Sequence, residues 1–149
     1  MIAVFKNEKE AHINNVELGR HGRNRSNVWT YPGMNTFSSK RSTVLGLHPT
    51  VKPVRLVEDA ILDCSDRGGV VLDGFVGSGT TLIAAERAGR RAFGLELEPR
   101  YVDLTLRRFQ ALVRVEPVHV ETGLTLEKVA KTRPNTTRPA PSIIKPSTR

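Results

Sequence analysis

The run Val70-Val71-Leu72-Asp73-Gly74-Phe75-Val76-Gly77-Ser78-Gly79-Thr80-Thr81 sets an acid and three glycines directly after a short apolar, β-branched stretch. Glycines at the carboxyl end of a buried strand let a ligand approach the backbone closely, in the crevice where open α/β sheets bind ligands. Residue identity separates three nucleotide chemistries. A phosphate-cradling loop needs a lysine after its last glycine; Gly74 to Gly79 has the spacing, but Thr80 stands in that place, so β- and γ-phosphates find no cation. A dinucleotide fingerprint needs a third glycine where Leu82 stands, and Asp73 at the strand end would repel a pyrophosphate. The same acid suits a ligand with a cationic amine. Glu96, at the tip of the next apolar run, can accept hydrogen bonds from both hydroxyls of a ribose, so the pair fits an adenosine joined to an amino acid. A tight turn that binds nothing is the plain alternative.

To place these residues the chain needs a strand before the turn, a helix after it and a second strand to carry Glu96. Pro53 is a good first helical residue, and Val54, Val57, Ile61 and Cys64 fall on one helical face, with Gly68-Gly69 as the stop. Val70 to Leu72 reads as a buried strand, Thr80 to Ala88 as a helix closed by Gly89, and Ala92 to Leu95 as a second buried strand. Pro99 opens a last helix with Val102, Leu106, Phe109 and Val113 at helical spacing. Strand, glycine turn, helix and strand make a βαβ unit, which implies α/β architecture with a parallel sheet core and a right-handed crossover.

Met1 to Phe5 reads as one short strand, and residues 6–47 as an irregular basic segment, functional or disordered. Its Trp29, Tyr31 and Phe37 argue against plain disorder. Beyond residue 113 Pro, Thr and basic side chains dominate, which predicts a disordered basic tail over 114–149. The net charge of +8 is concentrated in the flanks: residues 1–52 hold eight Lys/Arg against three acids and 113–149 seven against three, while 53–112 hold eight against nine. Basic arms suit a polyanion such as DNA through counterion release, although they equally keep a chain soluble. The single Cys64 excludes an internal disulfide and a cysteine-cluster metal site. No stretch approaches the ~18 apolar residues of a membrane span, and MIAVFKNEKE turns charged too early for a secretory signal. Cytoplasmic residence is the expectation.

His48-Pro49-Thr50-Val51-Lys52-Pro53, Leu72 to Thr81, and Gly94-Leu95-Glu96-Leu97-Glu98-Pro99-Arg100-Tyr101 together resemble three consecutive motifs of bacterial amino-group DNA methyltransferases. The order resembles the permuted class, in which the catalytic motif comes first. Asn14 to Arg23 and Asn27-Val28-Trp29 are similar to the segment that precedes the His-Pro-Thr motif, so the resemblance covers about residues 1–113. It implies an incomplete Rossmann-like fold, the C-terminal cofactor-binding part of an enzyme that methylates the amino group of adenine or cytosine in double-stranded DNA, often within restriction-modification. The cofactor implied is S-adenosyl-L-methionine, and the chemistry is direct attack of the base amine on the activated methyl group without a metal.

By the same resemblance Thr50 and Lys52 hold the methionine end of the cofactor, with Lys52 facing its carboxylate. Asp73, Gly77 and Gly79 line that end, the rest of the turn (Phe75, Ser78 and Thr80) joins them, and Glu96 takes the ribose. Arg20, Arg23, Arg25 and Trp29 are the candidate DNA contacts, with a solvated basic loop and sheet packing as their alternatives. His48 is expected to shape the loop before Lys52, and Cys64 to sit in the core. Gly74 departs from the family's proline, which loosens the turn. The larger departure is the catalytic Asp/Asn/Ser-Pro-Pro-aromatic motif, which accepts the target amine and stacks on the flipped base. The 149 residues contain no Pro-Pro pair, and Thr30-Tyr31-Pro32-Gly33 does not match, so no catalytic residue is assigned. Two readings follow: a truncated or split enzyme completed by an upstream polypeptide, or a non-catalytic remnant that binds cofactor or DNA.

Overall fold

The computed structural model describes residues 5, 9, 11–17, 19–20, 26, 28–32 and 51–132. Its first helix, α1 (Val54–Cys64), follows Pro53, which sits one position before the helix as the cap rather than inside it. Ile61 is buried, and Val54, Val57 and Leu62 pack with it against Ala84, Ala85 and Ala88. Cys64, expected on that face, is exposed: it is the last helical residue, beyond the reach of the alanine patch. The helix stops at Cys64, before Gly68-Gly69, because Ser65 is extended and Asn15 caps the end. The Asn15 side chain donates to the carbonyls of Leu62 at 2.9 Å and Ser65 at 2.8 Å, and its backbone N–H to that of Asp63 at 3.0 Å. Carbonyls of a last helical turn have no partner within the helix, so an outside donor ends it without glycine.

The two glycines instead lead into β1 (Val70–Asp73), which pairs in parallel with β2 (Arg91–Gly94) in the register Val70↔Arg91 to Asp73↔Gly94. Between them lies α2 (Thr80–Arg87), with Ile83, Ala84 and Ala85 fully buried. Its end is a Schellman motif: Arg90 N–H reaches the Ala85 carbonyl at 2.8 Å and Gly89 N–H that of Glu86 at 3.0 Å. Arg90 also donates to the Ser65 hydroxyl at 3.0 Å, which ties the ends of α1 and α2 together. The βαβ unit is therefore as expected, but the strands are buried on one face only. Val71 and Ala92 pack on the helical core, whereas Val70, Leu72 and Phe93 are 62%, 72% and 51% exposed. An apolar run in a parallel strand is matched to cover on both faces, and among the described residues α1 and α2 cover one.

Next comes α3 (Pro99–Val113), whose N-cap Glu98 accepts from Arg100 N–H at 3.3 Å. Its buried residues are Leu104, Thr105 and Arg108, not the expected stripe that begins at Val102, which is exposed. The helix is rotated because its inner face meets backbone carbonyls and needs donors there, as the site shows.

The described residues 116–132 belong to a second compact unit. An antiparallel bridge joins Val118 and Thr125, His119 N–H reaches the Leu124 carbonyl at 2.9 Å, and Leu126–Thr132 forms a short helix, α4. The disordered tail expected over 114–149 is thus corrected for 117–132, where a bridged turn satisfies the backbone locally; residues 133–149 lie outside the described ones. The expected strand at Met1 to Phe5 lies outside them too, except for Phe5. Described parts of 6–47 hold turns and bends only. No helix among the described residues is long and apolar enough to cross a membrane.

Candidate functional site

Beyond β1 the chain turns sharply at the strand's carboxyl end. The Asp73 carboxylate accepts the N–H of Phe75 at 2.9 Å, an Asx turn that bends the chain out of the strand. Val76 then crosses the end of β2, its N–H on the Leu95 carbonyl at 3.1 Å, while Leu95 N–H reaches the Asp73 carbonyl at 2.9 Å. This crossing is why position 94 is glycine: a Cβ there would collide with the Val76 side chain. Gly77 and Gly79 adopt the left-handed conformation (φ 56° and 79°), so backbone curls tightly before α2 begins.

A cleft of about 200 Å³ opens at this turn, lined by Lys52, Val57, Asp73, Phe75, Val76, Gly77, Ser78, Thr80 and Thr81. Of the residues expected to hold a cofactor, Lys52, Asp73, Phe75, Gly77, Ser78 and Thr80 are brought together here. Lys52 is exposed and free to reach an anion, and Phe75 is 93% exposed at the mouth. Ser78 and Thr80 are buried, with their hydroxyls 3.5 Å apart, and Thr80 Oγ1 approaches the Lys52 carbonyl at the same distance. These two side chains brace the turn. Gly79 is buried behind the cleft and is not part of its wall. Thr50 and His48 lie outside the described residues.

Glu96 is half-buried and outside the cleft wall, but it is tied to the turn: one carboxylate oxygen accepts Gly77 N–H at 2.7 Å and the other accepts Glu98 N–H at 2.9 Å. Gly74 has open space around a Cβ position, so a β-carbon would meet no neighbour there. The sequence reading missed Thr105 and Arg108, which reach the turn from α3. Thr105 Oγ1 donates to the Gly77 carbonyl at 2.9 Å, and the Arg108 guanidinium donates to that of Ser78. Burial pulls the Arg108 guanidinium below its ordinary pKa. Their three-residue spacing beside Leu104 is the signal in the sequence: two polar residues placed on what becomes an inner face.

Of the candidate DNA contacts, the described Arg20 and Trp29 are not in the cleft wall. Arg20 is exposed, 3.8 Å from the Glu17 carboxylate, and Arg23 and Arg25 lie outside the described residues. Trp29 packs edge-on to Tyr31, with ring centroids 6.4 Å apart, and the Tyr31 hydroxyl donates to Asp59 on α1 at 2.5 Å. Tyr31 is thus a packing residue of α1. Burial and then Asp63 push the Cys64 thiol up, which disfavours a nucleophilic thiolate. Among the described residues no group of His, Cys, Asp and Glu could hold a metal ion.

A family model described as DNA methylase matches residues 2–107. The type II methyltransferase M2.DpnII of Streptococcus pneumoniae is 38% identical over 110 residues, 71% of this chain and 40% of the relative. The DNA adenine methyltransferase YhdJ of Escherichia coli (strain K12) is 36% identical over 88 residues, 59% of this chain and 29% of the relative. Among solved structures, PvuII DNA methyltransferase (cytosine-N4-specific) covers 72% of this chain with 36% of its own, at 24% identity and a TM-score of 0.51, a likeness of fold. The chain spans 40% or less of the length of these relatives.

Proposed function

The chain belongs to the DNA methylase family whose model matches residues 2–107, and we propose that it forms the part of an amino-group DNA methyltransferase that holds S-adenosyl-L-methionine. One observation carries this reading: the cleft at the carboxyl end of β1 is lined by an acidic residue, Asp73, a basic one, Lys52, and a tight glycine backbone. An amino-acid end group needs such a set, with a carboxylate for its ammonium, a cation for its carboxylate, and backbone close enough to replace lost water. Glu96, one residue pair beyond β2, accepts the N–H groups of Gly77 and Glu98, and a carboxylate is the acceptor that ribose hydroxyls need. The cleft of about 200 Å³ is smaller than the roughly 300–1,000 Å³ of complete small-molecule sites. A cleft of that size suits one end of the cofactor, and the chain alone is expected to bind it weakly.

When bound, S-adenosyl-L-methionine supplies an activated methyl group. Transfer needs the base amine within about 3–3.5 Å of that methyl carbon, with acceptors for the amine and a surface for the flipped base. The 149 residues offer no Pro-Pro-aromatic loop for this, and Tyr31 is engaged with Asp59. We assign the base-positioning groups to an upstream polypeptide and double-stranded DNA as the substrate, adenine or cytosine being the target. The test is transfer of labelled methyl to mixed-sequence DNA, with and without a polypeptide that carries that loop. Turnover is expected only with it; turnover by residues 1–149 alone would overturn the division of labour. The absent Pro-Pro pair also favours a second reading, a non-catalytic remnant that binds cofactor or DNA. Inactivity of the combined polypeptides, with cofactor binding intact, would select it.

A further inference from the structure

The face that α3 turns toward the glycine loop is polar where a helix-packing face is ordinarily apolar. Thr105 and Arg108 lie one helical turn apart and are only 4% and 7% exposed. Thr105 holds the Gly77 carbonyl at 2.9 Å, and Arg108 holds the Ser78 carbonyl and approaches Thr80 Oγ1 at 3.5 Å. Among the described residues Arg108 makes no ion pair, so its charge is buried against carbonyl and hydroxyl dipoles alone. Burying a charge in that way is costly. Leucine at 108 would fill space, but it could not fix the orientation of a peptide unit.

Orientation is what these contacts control. The peptide bonds are trans, and in a trans unit the N–H points opposite to the C=O. With the Gly77 carbonyl drawn to α3, the Ser78 N–H points away from α3. With the Ser78 carbonyl drawn the same way, the Gly79 N–H turns away too and meets the Val76 carbonyl at 3.0 Å. No residue of α3 lines the cleft, so the helix works from behind the loop. Packing enforces the same arrangement: a Cβ on Gly79 would lie 2.6 Å from Thr105 Cγ2.

We propose that Thr105 and Arg108 are positioning residues for cofactor binding, a two-point clamp on consecutive carbonyls that holds the Gly77–Ser78 backbone of the cleft wall in one orientation. The role of the clamp rests on the cofactor reading above, whereas its effect on the loop does not.

The test uses the full chain with Thr105→Val, Thr105→Ser, Arg108→Lys and Arg108→Met. Calorimetric titration with S-adenosyl-L-methionine is paired with amide NMR spectra of Gly77, Ser78 and Gly79, using the α1 amides as an internal control. Thr105→Val keeps shape and loses the donor. It is expected to raise Kd about tenfold, the loss of one hydrogen bond to a buried carbonyl, and to shift the loop amides while those of α1 stay in place. Thr105→Ser restores the donor and is expected to bind within about twofold of the unsubstituted chain. Arg108→Lys keeps the charge with a single point donor and falls between the unsubstituted chain and Arg108→Met. Should the Arg108 variants fail to fold, the two Thr105 variants decide alone. Unchanged affinity and unmoved loop amides in Thr105→Val would overturn the proposal. If the unsubstituted chain binds no S-adenosyl-L-methionine, the loop amides decide. Shifted loop signals then support the clamp and sink the cofactor reading; unmoved ones sink the clamp.

Discussion

Glu96 has to serve as both a strut and a receptor. Its two oxygens hold the N–H groups of Gly77 and Glu98, which joins the glycine turn to the loop that opens α3, and the same carboxylate is our candidate for the ribose. The Glu98 side chain, two residues on, caps α3 and lies 3.9 Å from the Arg100 guanidinium. Glu96→Ala is therefore expected to abolish cofactor binding and to cost about 1.5 kcal/mol of stability, as for hydrogen bonds to a charged group. Glu98→Ala should cost about 0.5–1 kcal/mol and leave affinity nearly intact. Denaturant unfolding and calorimetry on both variants check this, and equal losses of binding would contradict the assignment. A second residue-scale prediction concerns Gly94. Since a Cβ there meets Val76, Gly94→Ala should destabilise by about 1–3 kcal/mol. In combination with Val76→Ala, the double variant should be less destabilised than the two single losses added together, because the residues share one space. Additive losses in thermal unfolding would show that the collision is relieved elsewhere.

At the scale of elements, much was legible. The helix after Pro53, the strand before the glycine turn, the helix closed by Gly89 and the helix opened by Pro99 were all marked by local chemistry: proline at a first turn, glycine past a last one, β-branched runs between. Asp73 and the turn were legible as a candidate site because an acid and glycines after an apolar run narrow the ligand choices, and the structure puts a cleft there. What local sequence could not show depends on partners distant in the chain. The end of α1 is set by Asn15, 47 residues from Leu62, not by the nearby Gly68-Gly69. The inner face of α3 is set by the carbonyls of Gly77 and Ser78, 28 and 30 residues away. A hydrophobic period alone therefore marked a stripe that is half-buried at Leu106, Phe109 and Val113 and exposed at Val102, and missed the buried Thr105 and Arg108. Residues 117–132 were missed because a bridged turn and short helix carry too little apolar periodicity to stand out from a basic tail.

For the molecule as a whole, the sheet is the exposed element. Val70, Leu72 and Phe93 lie open on one side of β1 and β2, and Leu95 and Leu97 continue beyond it with 67% and 98% exposure. Apolar patches of this kind mark association surfaces, and among the described residues the two strands leave outer edges open to pairing. The purified chain is expected to self-associate with rising concentration in sedimentation velocity, and Leu72→Lys with Phe93→Lys to shift it toward monomer without loss of helix signal. Concentration-independent monomer for the unsubstituted chain would refute this. The clamp from α3 has one more consequence, in time rather than space. The loop at Gly77 and Ser78 leaves the ribosome 28 to 30 residues ahead of the side chains that fix it. At about 5–20 residues per second, the nascent chain waits roughly 1.5–6 s with a strand and a glycine turn made but not locked. Under the proposed clamp, the loop is therefore locked only after both Thr105 and Arg108 have emerged.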